Sequence, residues 1–185
     1  MATLQAVKKD HWTTHLAADV VNHANQLANE ELFERILERI HRYFLKLLRD
    51  EHEADECLQE TLMVLARSLR EGKYDASKSF NTWIWIKARS IYAQYWRRRA
   101  KRPRTLPEHV AAPGSPVDDP SARADAAAVL EEVRRRLGEE AYEAFVLYYE
   151  GGLNKGEVAE VLGRDPKTVR KRISEAHALI EKLLA

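Results

Sequence analysis

The placement of proline constrains the fold of this chain more than any other feature. Five of its six prolines fall between residues 103 and 120, in a stretch without helical or alternating periodicity. Proline fixes φ and has no amide hydrogen, so such a stretch favours extended backbone. We therefore predict a linker at residues 105–122 between one domain at 29–104 and a second at 123–185. Residues 1–28 are predicted to form an N-terminal extension.

Outside the linker, apolar residues recur every three or four positions, as they do along one face of a helix. The first stripe comprises Leu32, Phe33, Ile36, Leu37, Ile40, Phe44 and Leu48, the second Leu58, Leu62, Leu65 and Leu69, and the third Ile84, Ala88, Ile91 and Tyr95. Asn29 and Ser79 are suited to cap the first and third helices, and Gly72 to end the second. No segment alternates convincingly as a strand does, so the predicted class is all-α.

The composition favours a soluble, cytoplasmic protein. Hydrophobic residues make up 45% of the chain and charged residues 32%. No apolar run reaches the roughly 18 residues that span a bilayer, and the N-terminal residues lack the apolar core of a signal peptide. Cys57 is the single cysteine and has no partner for an internal disulfide. We therefore expect no membrane insertion.

Charge is distributed unevenly, although the formal net charge is only +1. Residues 28–60 hold ten acidic and five basic side chains, whereas residues 61–104 hold twelve basic and two acidic ones. This asymmetry indicates two different partners, because an acidic surface suits a basic protein and a basic surface suits nucleic acid.

The C-terminal domain carries the pattern of a helix-turn-helix. Asn154 lies three residues before Glu157, which is the spacing of a capping box, and Gly163 suits the positive φ of the turn. Asp165 is a favourable N-cap, and Pro166 a favourable first residue, for the helix that follows. The sequence therefore predicts a winged-helix-like domain of four helices that contains this motif.

The second helix of the motif is predicted to face DNA. Ala159 is small enough to sit where the two helices touch, and Val169 can anchor the second helix. The outward residues around its start are Arg164, Pro166, Lys167, Thr168, Arg170, Lys171 and Ser174. Basic side chains at this position can reach phosphates and base edges in a major groove. The alternative is a plain helical hairpin with a solvated basic face.

The helix before the linker combines aromatic and basic residues. Its predicted functional face comprises Trp85, Arg89, Tyr92 and Trp96. A basic run follows from Arg97 to Arg104. Aromatic rings stack on unpaired bases for about 1–3 kcal/mol each, while nearby cations bind phosphates. The alternative is that Trp83, Trp85 and Trp96 belong to the hydrophobic core.

An acidic face is predicted on the preceding helix. Its members are Asp55, Glu56, Gln59 and Glu60, which project away from the stripe of Leu58, Leu62 and Leu65. Such a face would be repelled by DNA and suits a basic protein surface. The alternative is an ordinary acidic helix start, which the helix dipole favours.

The order of these segments resembles the sigma-70 superfamily of bacterial transcription initiation factors, specifically its small two-domain extracytoplasmic-function (ECF) group. EADECLQETLMVL resembles the helix of that family that binds the polymerase core. KYDASKSFNTWIWIKARS resembles the loop and helix that open and read the −10 promoter element. The segment from Leu137 to Ile180 resembles the domain that reads the −35 element.

The resemblance implies an alternative sigma factor whose acidic face binds the β′ and β subunits of RNA polymerase core. It implies that the outward face of the helix-turn-helix binds −35 promoter DNA. The implied −10 residues are Lys73, Tyr74, Asp75, Ser77, Lys78, Ser79, Trp83, Trp85, Lys87, Arg89, Ser90, Tyr92, Trp96 and Arg97. The family often has Asn at the position of Ser90 and Asp at that of Gln94, so the −10 preference is expected to differ. An anti-sigma factor or another regulator is a further partner that the family suggests.

Two other classes of protein compete with this interpretation. A helix-turn-helix regulator that acts without polymerase would explain the C-terminal domain but would leave the acidic helix and the tryptophans without a role. An enzyme is disfavoured, because the sequence has no Gly-rich phosphate loop and no nucleophile arrangement. His11 and His15 have a spacing that could bind a metal, but no cysteine or general-base motif accompanies them. We expect no catalytic residue, no cofactor and no metal.

Overall fold

The computed structural model describes residues 26–101 and 120–184, with side chains from residue 36 in the first segment and from residue 127 in the second. Every regular element in these residues is an α-helix, which confirms the predicted class. The helices are α1 (Gln26–Leu48), α2 (Glu51–Arg70), α3 (Phe80–Lys101), α4 (Pro120–Leu137), α5 (Glu139–Tyr149), α6 (Lys155–Leu162) and α7 (Pro166–Leu184). We call α1–α3 the front bundle and α4–α7 the rear bundle.

Two expected boundaries differ from those of the structure. α1 begins at Gln26, so Asn29 lies inside the helix and is not its cap. The residues before Asn29 include Gln26 and Ala28, which are good helix formers and extend the helix upstream. α4 begins at Pro120, inside the predicted linker, because proline is favourable as the first residue of a helix. The rest of the linker, most of the N-terminal extension and the pair His11 and His15 lie outside the described residues.

The front bundle is held by local signals at its helix ends and by a shared apolar core. Asp50 caps α2 by accepting a hydrogen bond from the Glu53 amide at 3.0 Å. α2 ends where Gly72 adopts a φ of 62°, as expected for the glycine that closes a helix. The fully buried side chains include Ile40, Phe44, Leu65, Phe80 and Ile84.

The rear bundle contains the predicted helix-turn-helix. Asn154 and Glu157 form a complete capping box at the start of α6, and Gly163 ends that helix in the left-handed conformation. Asp165 Oδ1 accepts hydrogen bonds from the amides of Lys167 at 2.8 Å and Thr168 at 3.3 Å, so α7 begins at Pro166 as predicted. The buried positions include Val133, Leu147, Val158, Val169 and Ile173. No strand that could form a wing occurs in residues 120–184.

The two bundles pack directly against each other. α3 contacts α6, α1 contacts α5, and the buried side chains of both bundles form one continuous apolar cluster. Gly151 follows α5 and lies against α3, where a Cβ atom would stand 3.2 Å from Cε2 of Trp85 and would clash with the carbonyl oxygen of Leu147. Glycine at this position therefore permits the close approach of the two bundles.

Candidate nucleic-acid and polymerase interfaces

The start of α7 presents a basic surface to solvent. Pro166, Lys167, Thr168, Arg170 and Lys171 are exposed, while Val169 between them is buried in the rear core. This alternation arises because the Asp165 cap fixes the first turn and Val169 fixes the rotation of the helix. Ser174 is exposed one turn further along. The predicted −35 residues of α7 therefore share one accessible face.

Arg164 belongs to the same predicted set but is held by a carboxylate. Glu140 of α5 pairs with Arg164 and also with Arg172, whose Nη1 lies 2.8 Å from Glu140 Oε1. Hydrogen bonds from these two arginines lower the pKa of Glu140. Glu140 therefore ties α5 to the helix-turn-helix and orients Arg164 beside the exposed face of α7.

The loop between α2 and α3 is anchored by Tyr74 and exposes most of its predicted −10 residues. Tyr74 is buried, its hydroxyl donates to the Lys78 carbonyl oxygen at 2.7 Å, and its ring packs against Phe80 at 5.0 Å. Burial raises the pKa of Tyr74 to about 12. Asp75 accepts hydrogen bonds from Ser77, which lower its pKa. Lys73, Asp75, Ser77 and Lys78 are exposed, and Ser79 is half-buried.

The aromatic face predicted on α3 is buried at one end and exposed at the other. Trp85 is 1% exposed, packs edge-on against Tyr43 at 5.2 Å, and donates a hydrogen bond from Nε1 to Asn81 Oδ1 at 3.2 Å. Trp96, three turns later, is 43% exposed, and its ring centroid lies 6.2 Å from that of Tyr92. In this arrangement Trp85 has the environment of a core residue, whereas the ring of Trp96 is open to solvent.

The remaining predicted −10 residues lie along the outer part of α3. Trp83 is half-buried against Tyr74, with the Lys87 ammonium 5.6 Å from its ring centroid. Ser90 is exposed and accepts a hydrogen bond from Gln94 at 3.3 Å. The two residues that depart from the usual family pattern therefore contact each other. Arg97 is exposed at the end of the helix.

The acidic residues of α2 differ in their partners. Glu56 and Gln59 are exposed, and Glu56 lies 3.4 Å from Nε2 of the exposed His52. Asp55 lies 2.9 Å from Nε2 of His41, and Glu60 forms a two-pronged ion pair with Arg98 of α3 at 2.7 and 3.2 Å. The pairing of Glu60 was not predicted, because its partner Arg98 lies 38 positions further along the chain, in the basic run that follows Trp96.

The sequence also gave no indication of the polar contacts between the bundles. Arg39 of α1 donates to the carbonyl oxygens of Glu150 and Gly151, at the C-terminal end of α5. The Glu143 carboxylate lies between Tyr43 and Arg89, although Glu143 is buried within α5. One feature of the sequence could have indicated the contact at Glu143. The residues of α5 around Glu143 are apolar on nearly all sides of the helix, and such helices are buried on nearly all sides.

Neither a metal site nor a membrane span is evident within the described residues. Residues 26–101 and 120–184 contain no group of three or more His, Cys, Asp or Glu side chains that could hold a metal ion. None of their helices is long and apolar enough to cross a bilayer.

Comparison with known protein families identifies the front bundle first. The sigma-70 region 2 family matches residues 32–102, which include all of α2 and α3 and most of α1. The ECF RNA polymerase sigma factor SigM of Mycobacterium tuberculosis is 30% identical over 171 residues, which cover 91% of this chain and 82% of that protein. SigM of Bacillus subtilis is 25% identical over 134 residues, covering 72% of this chain and 80% of that protein. The chain belongs to the ECF RNA polymerase sigma factors of the sigma-70 superfamily.

Two solved structures share the fold. CnrH, solved in complex with the cytosolic domain of CnrY, superposes with a TM-score of 0.65 at 23% identity, covering 93% of this chain and 96% of that one. The sigma factor RpoE of Bartonella quintana, solved with the anti-sigma factor NepR, gives 0.62 at 19% identity, covering 84% and 95%. At these identities the likeness concerns the helical fold.

Proposed function

We propose that the chain recruits RNA polymerase core to promoters through two separate DNA-binding surfaces and one protein-binding surface. The observation that carries this proposal is the exposed basic start of α7, positioned by the Asp165 cap and the buried Val169. In a helix-turn-helix this part of the second helix enters the major groove. The rear bundle, within the proposed domain at residues 123–185, would read the −35 element.

The front bundle, within the proposed domain at residues 29–104, would bind polymerase core through α2. Glu56 and Gln59 are the accessible members of the acidic face, and Asp55 and Glu60 flank them. Because Glu60 is already neutralised by Arg98, its charge contributes less to an external partner than the charge of Glu56. We therefore assign the main electrostatic contact with the β′ and β subunits to Glu56, with Asp55, Gln59 and Glu60 around it.

The −10 element would bind along the anchored loop and the outer part of α3. Lys73 and Lys78 are exposed cations on the loop, and Trp96 and Arg97 are exposed at the other end of α3. An exposed ring next to exposed cations suits a single strand, since bases stack while phosphates pair with the cations. This surface would hold −10 bases after the strands separate.

A regulatory partner is part of the proposal. RpoE, which shares the fold, was solved with an anti-sigma factor. We propose that a comparable protein controls this chain, and co-purification from the native host under non-inducing conditions would test it.

Reconstituted transcription tests the main proposal. The purified chain is mixed with core polymerase and a promoter library selected by the holoenzyme, and the transcripts are mapped. We expect promoter-dependent initiation that core polymerase alone does not give. Sequence-specific DNA binding without core binding and without initiation would instead support a regulator that acts without polymerase.

A further inference from the structure

One acidic side chain lies on the face of α7 that is proposed to contact DNA. Val169, Ile173 and Ala176 are all buried in the rear core, so they fix the rotation of α7 about its own axis. Because successive residues of a helix are turned by about 100°, this rotation places Glu175 on the outward side, beside Lys171. Glu175 and Lys171 are both exposed. Glu175 therefore shares a surface with the predicted −35 residues, although its charge is opposite to theirs.

Other carboxylates near this surface are occupied by contacts within the rear bundle. Asp165 accepts hydrogen bonds from the first amides of α7, and Glu157 completes the capping box of α6. Glu140 pairs with Arg164 and with Arg172. Each of these three carboxylates has a structural role that accounts for its presence.

The contact of Glu175 is weaker. Glu175 Oε1 lies 3.8 Å from Lys171 Nζ, which is long for an ion pair, and the two side chains are 47% and 78% exposed. A pair of this kind contributes little to stability, because water and salt screen it. Lys171 can therefore leave Glu175 for a phosphate at little cost. Stability of the fold does not account for an acidic residue at this position.

The position of Glu175 along α7 corresponds to the DNA backbone rather than to the bases. In a helix-turn-helix, the first residues of the second helix contact base edges in the major groove. Glu175 follows Pro166 by nine positions, which at about 1.5 Å per residue corresponds to about 14 Å along the helix axis. Since the major groove is about 12 Å wide, a helix that enters it by its start has reached the phosphates at this position.

We propose that Glu175 limits the affinity of the rear bundle for duplex DNA by repelling a backbone phosphate. This inference rests on the function proposed above for α7. Contacts with phosphates supply the affinity that is independent of sequence, so a carboxylate at the backbone lowers that share and leaves base contacts such as that of Arg170 unchanged. A uniform loss of affinity keeps the preference for the −35 element and releases the protein sooner from the large excess of other sequences.

Substitutions at Glu175 test the repulsion through a gain of affinity, which a damaged fold would not give. Glu175→Gln removes the charge with little change of shape, and Glu175→Lys reverses it. Glu181→Gln is the matched control, because Glu181 is also exposed on α7 but lies six positions further from the start of the helix. Labelled duplexes with variants of the −35 element of a selected promoter are titrated at several salt concentrations. The titration uses the full chain alone and the holoenzyme reconstituted with polymerase core.

We expect Glu175→Gln to bind every duplex about fivefold more tightly at low salt, which is the factor for two unit charges about 4 Å apart in water. Glu175→Lys should bind more tightly still, and Glu181→Gln should bind as the wild type does. The gain should decrease as the salt concentration rises, while the order of preference among the −35 variants stays that of the wild type.

Three results would overturn parts of this account. Unchanged affinity of Glu175→Gln, in a holoenzyme that initiates transcription at selected promoters, overturns the repulsion and leaves the proposed function in place. Loss of a preference for cytosine in Glu175→Gln also overturns it, because a carboxylate that accepts from the cytosine amino group reads a base. A wild-type holoenzyme that initiates at no promoter, although Glu175→Gln still binds duplexes more tightly, overturns the proposed function and supports the repulsion.

Discussion

The helices proposed to contact DNA differ in what surrounds them. α7 presents its predicted residues to solvent, because a capping aspartate and one buried valine set its start and its rotation. On α3 the predicted residues are divided, with Trp85 and Arg89 under the rear bundle and Trp96 and Arg97 outside it. The difference shows that local sequence signals set which face of a helix packs into its own domain. Whether the other residues of that helix are accessible to DNA depends on how the two domains pack against each other.

The largest expected effect separates the two ends of α3. Trp85→Ala should lower the free energy of unfolding by about 3–5 kcal/mol, as expected for deleting a large buried side chain. Trp96→Ala should lower it by only about 1 kcal/mol, because 43% of the surface of Trp96 is exposed. Urea denaturation of the two variants measures both values. Equal costs would contradict the division of α3 into a buried and an open end.

The same pair separates stability from binding. Trp96→Ala should weaken binding to the single-stranded −10 oligonucleotide by about 1–3 kcal/mol for the lost stacking contact, while the variant remains folded. Wild-type affinity in Trp96→Ala would exclude this ring from the −10 surface.

The acidic face is expected to give the next largest effect. Glu56→Lys should weaken binding to polymerase core by about 2 kcal/mol, roughly thirtyfold, because it places like charges at the interface. Glu181→Lys is the control for the change in net charge, since Glu181 is exposed on α7. A titration of labelled chain with core polymerase measures both affinities. Glu60 is a poorer test, because its reversal would also break the Arg98 ion pair that joins α2 to α3.

On α7 we expect two neighbouring cations to act differently. Arg170→Ala should lose about 1–3 kcal/mol of preference at one or two base pairs of the −35 element, since arginine can bond guanine with two hydrogen bonds. Lys171→Ala should weaken all sequences alike and reduce the salt slope by about one. Titration of −35 variants at two salt concentrations measures both. If neither variant changes the preference profile or the slope, α7 does not read DNA.

Much of the rear bundle could be predicted because its determinants are close together in the sequence. The capping box of Asn154 and Glu157, the left-handed Gly163 and the cap at Asp165 each act within four residues, and all three are present. The start of α1 was predicted wrongly at Asn29, because a residue that favours caps is also tolerated inside a helix.

The candidate site was less predictable, because its accessibility depends on distant residues. Glu60 and Arg98 are separated by 38 positions, and Tyr43 and Glu143 by 100. The row of Arg39, Arg42 and Lys46 has the spacing of a solvated basic face, and only the docking of α5 reveals its partner. The spacing of basic residues along one helix does not show which other helix will pack against that row.

The central proposal is that the chain directs RNA polymerase core to promoters. Mapping the transcripts that core polymerase makes from a promoter library, with and without the purified chain, tests it most directly. The account predicts initiation at promoters that core polymerase alone does not use. Identical transcript maps with and without the chain, in a sample where the chain and core polymerase form a complex, would contradict it.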